Sequence, residues 1–131
     1  MIRAFLSFVA EDLARVNLFR GQAKNDNIDL EFADYSIKEP YNSVNADYIK
    51  RGIAAQISLA GITICLYGPS TYTSDWVDWE LRKSLEMGKP VMGVCLYNDG
   101  RVQYYPAALD GKPRVAWDIA AIVRTIRQIA S

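Results

Sequence analysis

Apolar residues along the chain follow two patterns that alternate, short unbroken runs and longer stretches with helical spacing. The runs at 2–8 (IRAFLSF), 62–67 (ITICLY) and 91–96 (VMGVCL) are too short for helices and rich in β-branched or aromatic side chains. They predict buried strands. Residues 28–33 (IDLEFA) alternate apolar and acidic positions, which suits a strand exposed on one face at a sheet edge. Residues 114–117 add a last short strand.

Between the runs the spacing becomes helical. After the first strand, Glu11 and Asp12 precede Leu13, Val16, Leu18 and Phe19, with the acids in a first turn where the helix dipole favours them. Asn45 reads as the cap of a helix to about Leu59, with Tyr48, Ile49, Ile53 and Ile57 facing inward and Gly61 stopping it. Asp75 reads as the cap of the helix 76–87, closed by Gly88. Asp118 caps a terminal helix whose Ile119, Ile122, Val123, Ile126 and Ile129 share a face.

Strands apolar on both faces need helices on both sides. The expected fold class is therefore α/β, a flavodoxin-like doubly wound parallel sheet of five strands in the order 2-1-3-4-5, forming a single domain over 1–131. In that order a ligand crevice lies beyond the carboxyl ends of strands one and three. The candidate site is thus built from residues 7–10 and 68–74.

Composition narrows the chemistry. With 15 basic and 15 acidic side chains spread along the chain, the basic footprint of a nucleic-acid binder is missing. The chain contains no histidine, which removes a Ser-His-Asp triad, a His-ligated metal and an imidazole base. Cys65 and Cys95 sit inside apolar runs and read as buried reduced thiols, and two thiols alone close no structural metal site. No apolar run approaches the roughly 18–20 residues of a membrane span, and the first strand starts too early to leave room for a signal peptide. The expected location is cytoplasmic.

Several uses of the crevice fall away. The first turn, Phe8-Val9-Ala10-Glu11-Asp12, has no glycine to bring backbone amides onto a phosphate and carries two acids. A phospho-acceptor receiver needs a carboxylate at the tip of strand three, where Leu66-Tyr67-Gly68 stands instead. What remains is Trp76-Val77-Asp78-Trp79-Glu80. Trp76 and Glu80, four residues apart, share one helix face just after a hydroxyl-rich loop, Ser70 to Ser74. An indole can stack a planar ring there, and a carboxylate can hold a sugar diol.

The WxxxE helix after strand three, with Phe5-Leu6-Ser7-Phe8 in strand one, Asp34-Tyr35-Ser36 after strand two and the segment 74–81 (SDWVDWEL), resembles a TIR domain of the bacterial Thoeris anti-phage type. The resemblance covers nearly the whole chain. It implies cleavage of the nicotinamide–ribose bond of NAD by Glu80, with NAD as substrate rather than cofactor and no metal. The ADP-ribose part would become a signal nucleotide, cyclic in many such systems, read by a separate effector protein. Ser7, Phe8, Asp34, Tyr35, Ser74 and Trp76 are the positions expected to bind substrate. Some family pockets are completed by a neighbouring protomer, which leaves a homo-oligomer open for this chain.

Each position also has a plainer reading. Glu80 can be an ordinary ion-paired acid, Trp76 a structural indole, Ser7 a hydroxyl satisfied by backbone, and Asp34 a local turn. Asp12 can point into the crevice or simply serve the helix dipole. Tyr97, Tyr104 and Tyr105 can form an interface or anchor the long connection 97–113. At the level of function, the main alternative is a TIR-type interaction module without turnover. A receiver-like small-nucleotide binder is a third.

Overall fold

The computed structural model describes residues 1–34 and 39–130. Five parallel strands, β1 (Ile2–Ser7), β2 (Leu30–Ala33), β3 (Ile62–Tyr67), β4 (Val91–Cys95) and β5 (Arg114–Ala116), form one sheet in the order β2-β1-β3-β4-β5. The helices are α1 (Leu13–Asn25), α2 (Ala46–Leu59), α3 (Asp75–Glu86) and α4 (Ile119–Ile129). The expected doubly wound order is the one adopted. No helix among the described residues is long and apolar enough to cross a membrane.

The strand period of two divides the core. Ala4 and Leu6 of β1 with Ile62, Ile64 and Leu66 of β3 face one side, where Val16 and Phe19 of α1 and Ile122 and Ile126 of α4 cover them. The intervening residues face the other side. Phe5 packs with Ile49, Ile53 and Ile57 of α2, and Cys65 and Tyr67 pack with Val77 and Leu81 of α3. Every residue of β3 is buried, and the run ITICLY is apolar except for Thr63 because both of its faces are covered.

Four local expectations are corrected. The α1 helix begins at Leu13, because Ala10–Asp12 form a separate 3-10 turn. Asn45 does stand at the start of α2, but its side chain makes no cap and instead donates to the Glu39 carboxylate. The cap of α3 is Ser74 rather than Asp75: Ser74 has extended backbone (φ −79°, ψ 119°) and its Oγ accepts from Val77 N at 3.1 Å, which leaves Asp75 inside the helix. Tyr48, expected to face inward, is 67% exposed, because its neighbour Ile49 takes the buried stripe.

Candidate functional site

The strand tips of β1 and β3 lie side by side, with Ser7 opposite Cys65 in register. Ser7 is the last residue of β1, and the alternation aims its side chain toward α3. There Ser7 Oγ donates to Glu80 Oε1 at 2.6 Å, and both residues have no exposed surface. The helix that carries Glu80 forms because Ser74 caps it and Asp75 and Asp78 complement its amino end. One turn back, half-buried Trp76 donates from Nε1 to the Glu39 carbonyl at 2.7 Å and receives Tyr41 edge-on at a centroid distance of 5.1 Å. Segment 39–41 is therefore latched to the helix face that bears Glu80.

A second carboxylate sits above the same strand tips. Asp12 is 4% exposed, and its Oδ1 accepts from the Tyr97 hydroxyl at 2.9 Å. Arg15 lies over the Tyr97 ring at 4.0 Å. Burial holds the Asp12 carboxyl above the usual carboxylate range, more than the Tyr97 hydrogen bond and the Arg15 charge bring it down. Gly68 is required beside it, since a Cβ there would meet Asp12 Oδ2 at 2.5 Å. Cys65, between the two acids, is pushed up by burial first and then by the Glu80 and Asp12 charges, so it stays a protonated thiol and no nucleophile. Glu11 accepts from Ser70 Oγ at 3.0 Å, which joins the loops after β1 and β3 across the crevice.

The sequence-selected residues separate into two groups. Ser7, Trp76 and Glu80 gather on the α3 side. Phe8 packs on the opposite face with the α1/α4 core, and Arg20 of α1 lies over its ring at 5.8 Å while also ion-pairing with Asp34. Ser74 is engaged as the helix cap, and Tyr35 lies outside the described residues. Sequence reasoning missed Arg20, the partnership of Tyr97 with Asp12, and the buried pair Thr63 and Ser84. The only signal for the last two was a lone hydroxyl in each of two otherwise inward-facing positions, Thr63 in ITICLY and Ser84 one turn after Glu80. Among the described residues no group of three His, Cys, Asp or Glu side chains is placed to hold a metal.

Chemically, the α3 side offers a carboxylate sheltered from water, aligned by a hydroxyl, with an indole one turn away. Such a carboxylate can stabilise positive charge developing on a sugar carbon.

The family model for "Thoeris protein ThsB, TIR-like domain" matches residues 5–101. A Bacillus cereus (strain MSX-D12) protein bearing the name "Putative cyclic ADP-D-ribose synthase ThsB1" is 29% identical over 96 residues, which is 70% of this chain and 50% of that protein. The chain thus spans about half the length of this curated relative. Among solved structures, the RPS4 and RRS1 TIR domain heterodimer aligns with a TM-score of 0.61 at 20% identity, covering 98% of this chain and 97% of that one. A 3-dehydroquinate dehydratase-like protein from Bifidobacterium longum aligns with a TM-score of 0.53 at 13% identity, covering 99% and 96%. These two likenesses concern the fold alone.

Proposed function

The chain belongs to the Thoeris ThsB TIR-like family, and on that premise we propose that it cleaves the nicotinamide–ribose bond of NAD and turns the ADP-ribose part into a signal nucleotide for anti-phage defence. The observation that carries this reading is the buried contact between Ser7 and Glu80 at the tip of β1. The name of the Bacillus cereus relative supports a cyclic product.

Glu80 is the catalytic carboxylate. As the bond from ribose C1′ to the nicotinamide nitrogen breaks, its electron pair leaves with the nitrogen and C1′ takes on oxocarbenium character, which the Glu80 carboxylate stabilises. Nicotinamide is cationic in NAD and departs neutral, so no general acid has to protonate it. A chain without histidine is adequate for that step. In cyclisation, an oxygen or nitrogen of the same molecule bonds to C1′ and releases a proton. In hydrolysis, water does so. A dry site favours the first outcome.

Glu80 has no exposed surface, so NAD reaches it only when its cover moves. The Trp76 contacts with Glu39 and Tyr41 lie on that face and are the contacts to part. Trp76 then supplies an apolar wall, and Ser7 holds the carboxylate in place. Asp34, Tyr35, Phe8 and Ser74 remain proposed substrate contacts, of which Asp34 and Ser74 would have to exchange their present partners. A product made here would be read by a separate effector protein.

The same burial favours one other reading, a TIR-type interaction module in which Glu80 is only a structural acid. Incubating the protein with NAD, with and without extract of phage-infected cells, separates the two. The enzyme reading expects nicotinamide release and a product equal in mass to NAD less nicotinamide. Unchanged NAD under every condition, with defence intact in cells, would leave the interaction module.

A further inference from the structure

Below the Ser7–Glu80 contact lies a second buried polar pair that an apolar helix–sheet interface does not require. Thr63 of β3 and Ser84 of α3 are both without exposed surface, and their hydroxyl oxygens are 2.8 Å apart. Ser84 Oγ also donates to the Glu80 carbonyl at 2.8 Å, which uses its one proton. Thr63 is therefore the donor to Ser84, and the chain of hydrogen bonds runs from Thr63 through Ser84 to the Glu80 backbone.

The spacing of the two contacts is matched. Ser7 stands beside Cys65, and Thr63 lies two residues before Cys65 on the same strand face, a step of about 6.6 Å. Glu80 and Ser84 are one helical turn apart, a rise of about 6 Å. The helix runs back against the strand direction, so Glu80 meets the strand tip and Ser84 meets the level below. Sliding α3 by one residue, about 1.5 Å, would break both contacts together. Val77 and Leu81 add apolar packing that is not directional, whereas the two hydrogen bonds are both met at one height of the helix.

We propose that Thr63 and Ser84 are positioning residues: they set the height of α3 on the sheet so that the Glu80 carboxylate reaches Ser7 at the tip of β1. The assignment rests on the reading of Glu80 as the catalytic carboxylate. The pair acts through that residue and touches no substrate. Its hydroxyls are replaceable by shape-matched apolar groups at little cost to folding, since the Glu80 carbonyl lies inside the helical ladder and removing both partners orphans neither. What they contribute is register.

The test compares Thr63→Val, the double variant Thr63→Val/Ser84→Ala, and the conservative Thr63→Ser with the unchanged protein. The first readout is the Glu80 side-chain carboxyl carbon resonance, assigned by its loss in Glu80→Gln, which reports the hydrogen bond from Ser7 without needing turnover. It should move in Thr63→Val and in the double variant in the direction that Ser7→Ala moves it, and stay in place in Thr63→Ser. The second is NAD cleavage, where kcat should fall on the order of tenfold with KM within about twofold, and Thr63→Ser should restore it. Melting temperatures of the two apolar variants should be unchanged or raised. A carboxyl resonance unmoved in both apolar variants overturns the proposal. So does a kcat loss that only follows a fall in melting temperature. Absence of NAD turnover in the unchanged protein, with the resonance shifts as expected, would remove the enzymatic reading and leave the positioning role standing.

Discussion

Ser7 Oγ donates a 2.6 Å hydrogen bond to Glu80 Oε1, joining the end of a central strand to the middle of a helix 73 residues later in the chain. A hydroxyl bonded to a buried carboxylate is worth more than a neutral pair, because the charge has no water to turn to. Ser7→Ala should lower stability by about 1.5–3 kcal/mol in chemical denaturation. It should also lower NAD turnover roughly ten- to hundredfold, since the carboxylate loses its alignment. A variant with unaltered denaturation and unaltered turnover would make the contact incidental.

Ser74 separates a folding role from a binding role in one side chain. Its Oγ caps α3 through Val77 N. Ser74→Ala should cost about 1 kcal/mol, and Ser74→Asp should recover most of it, because Asp is an equally good cap. If KM for NAD rises in Ser74→Asp while stability is restored, the hydroxyl also meets substrate. If KM is unchanged, capping is its whole role.

The two capping expectations on α3 and α2 show where local sequence stops informing. Ser74 and Asp75 are both good caps, and only the backbone angles choose between them. The fold was legible because ITICLY and VMGVCL carry no charge and, Thr63 apart, run apolar on both faces, a pattern that a doubly covered strand accounts for. Glu80 and Trp76 were legible as a shared helix face. Their partners were not. The Ser7 and Thr63 contacts depend on the height of α3 on the sheet and the Tyr97 contact on two strand-end loops meeting, and they join residues 21 to 85 positions apart. No periodicity encodes such pairings. Asp34 likewise found Arg20, a residue that nothing in its own helix singled out.

Gly68 accommodates the Asp12 carboxyl. A Cβ at that position would lie 2.5 Å from Oδ2, 2.7 Å from Oδ1 and 2.9 Å from Cγ, and the carboxyl cannot yield freely while Tyr97 holds it. Gly68→Ala should therefore destabilise by about 1–3 kcal/mol. Adding Asp12→Ala should make the pair less destabilised than the sum of the two single changes. Strict additivity in denaturation would show that the clash lies elsewhere.

Asp12 also imposes a pH dependence. Burial raises its carboxyl above the ordinary value of 3.8, so the native state binds that proton more readily than the unfolded chain does. From the ordinary value up to the raised one, rising pH removes stability, and the penalty is complete above the raised value. Asp12→Asn has no such charge. Its stability relative to the unchanged protein should grow as pH rises above the ordinary carboxyl value of 3.8 and then level off, read from denaturation midpoints along a pH series. A constant difference along that series would contradict the assignment.

The most direct measurement is nicotinamide release from NAD by the unchanged protein and by Glu80→Gln, under the conditions that activate the former. Gln keeps an acceptor oxygen for Ser7 and nearly the shape of the side chain, removes the negative charge that faces the developing cation, and puts an amide donor where the second carboxylate oxygen stood. With matched melting temperatures, the rate should fall about a hundredfold or more in the variant. Equal rates from the two proteins would contradict the account.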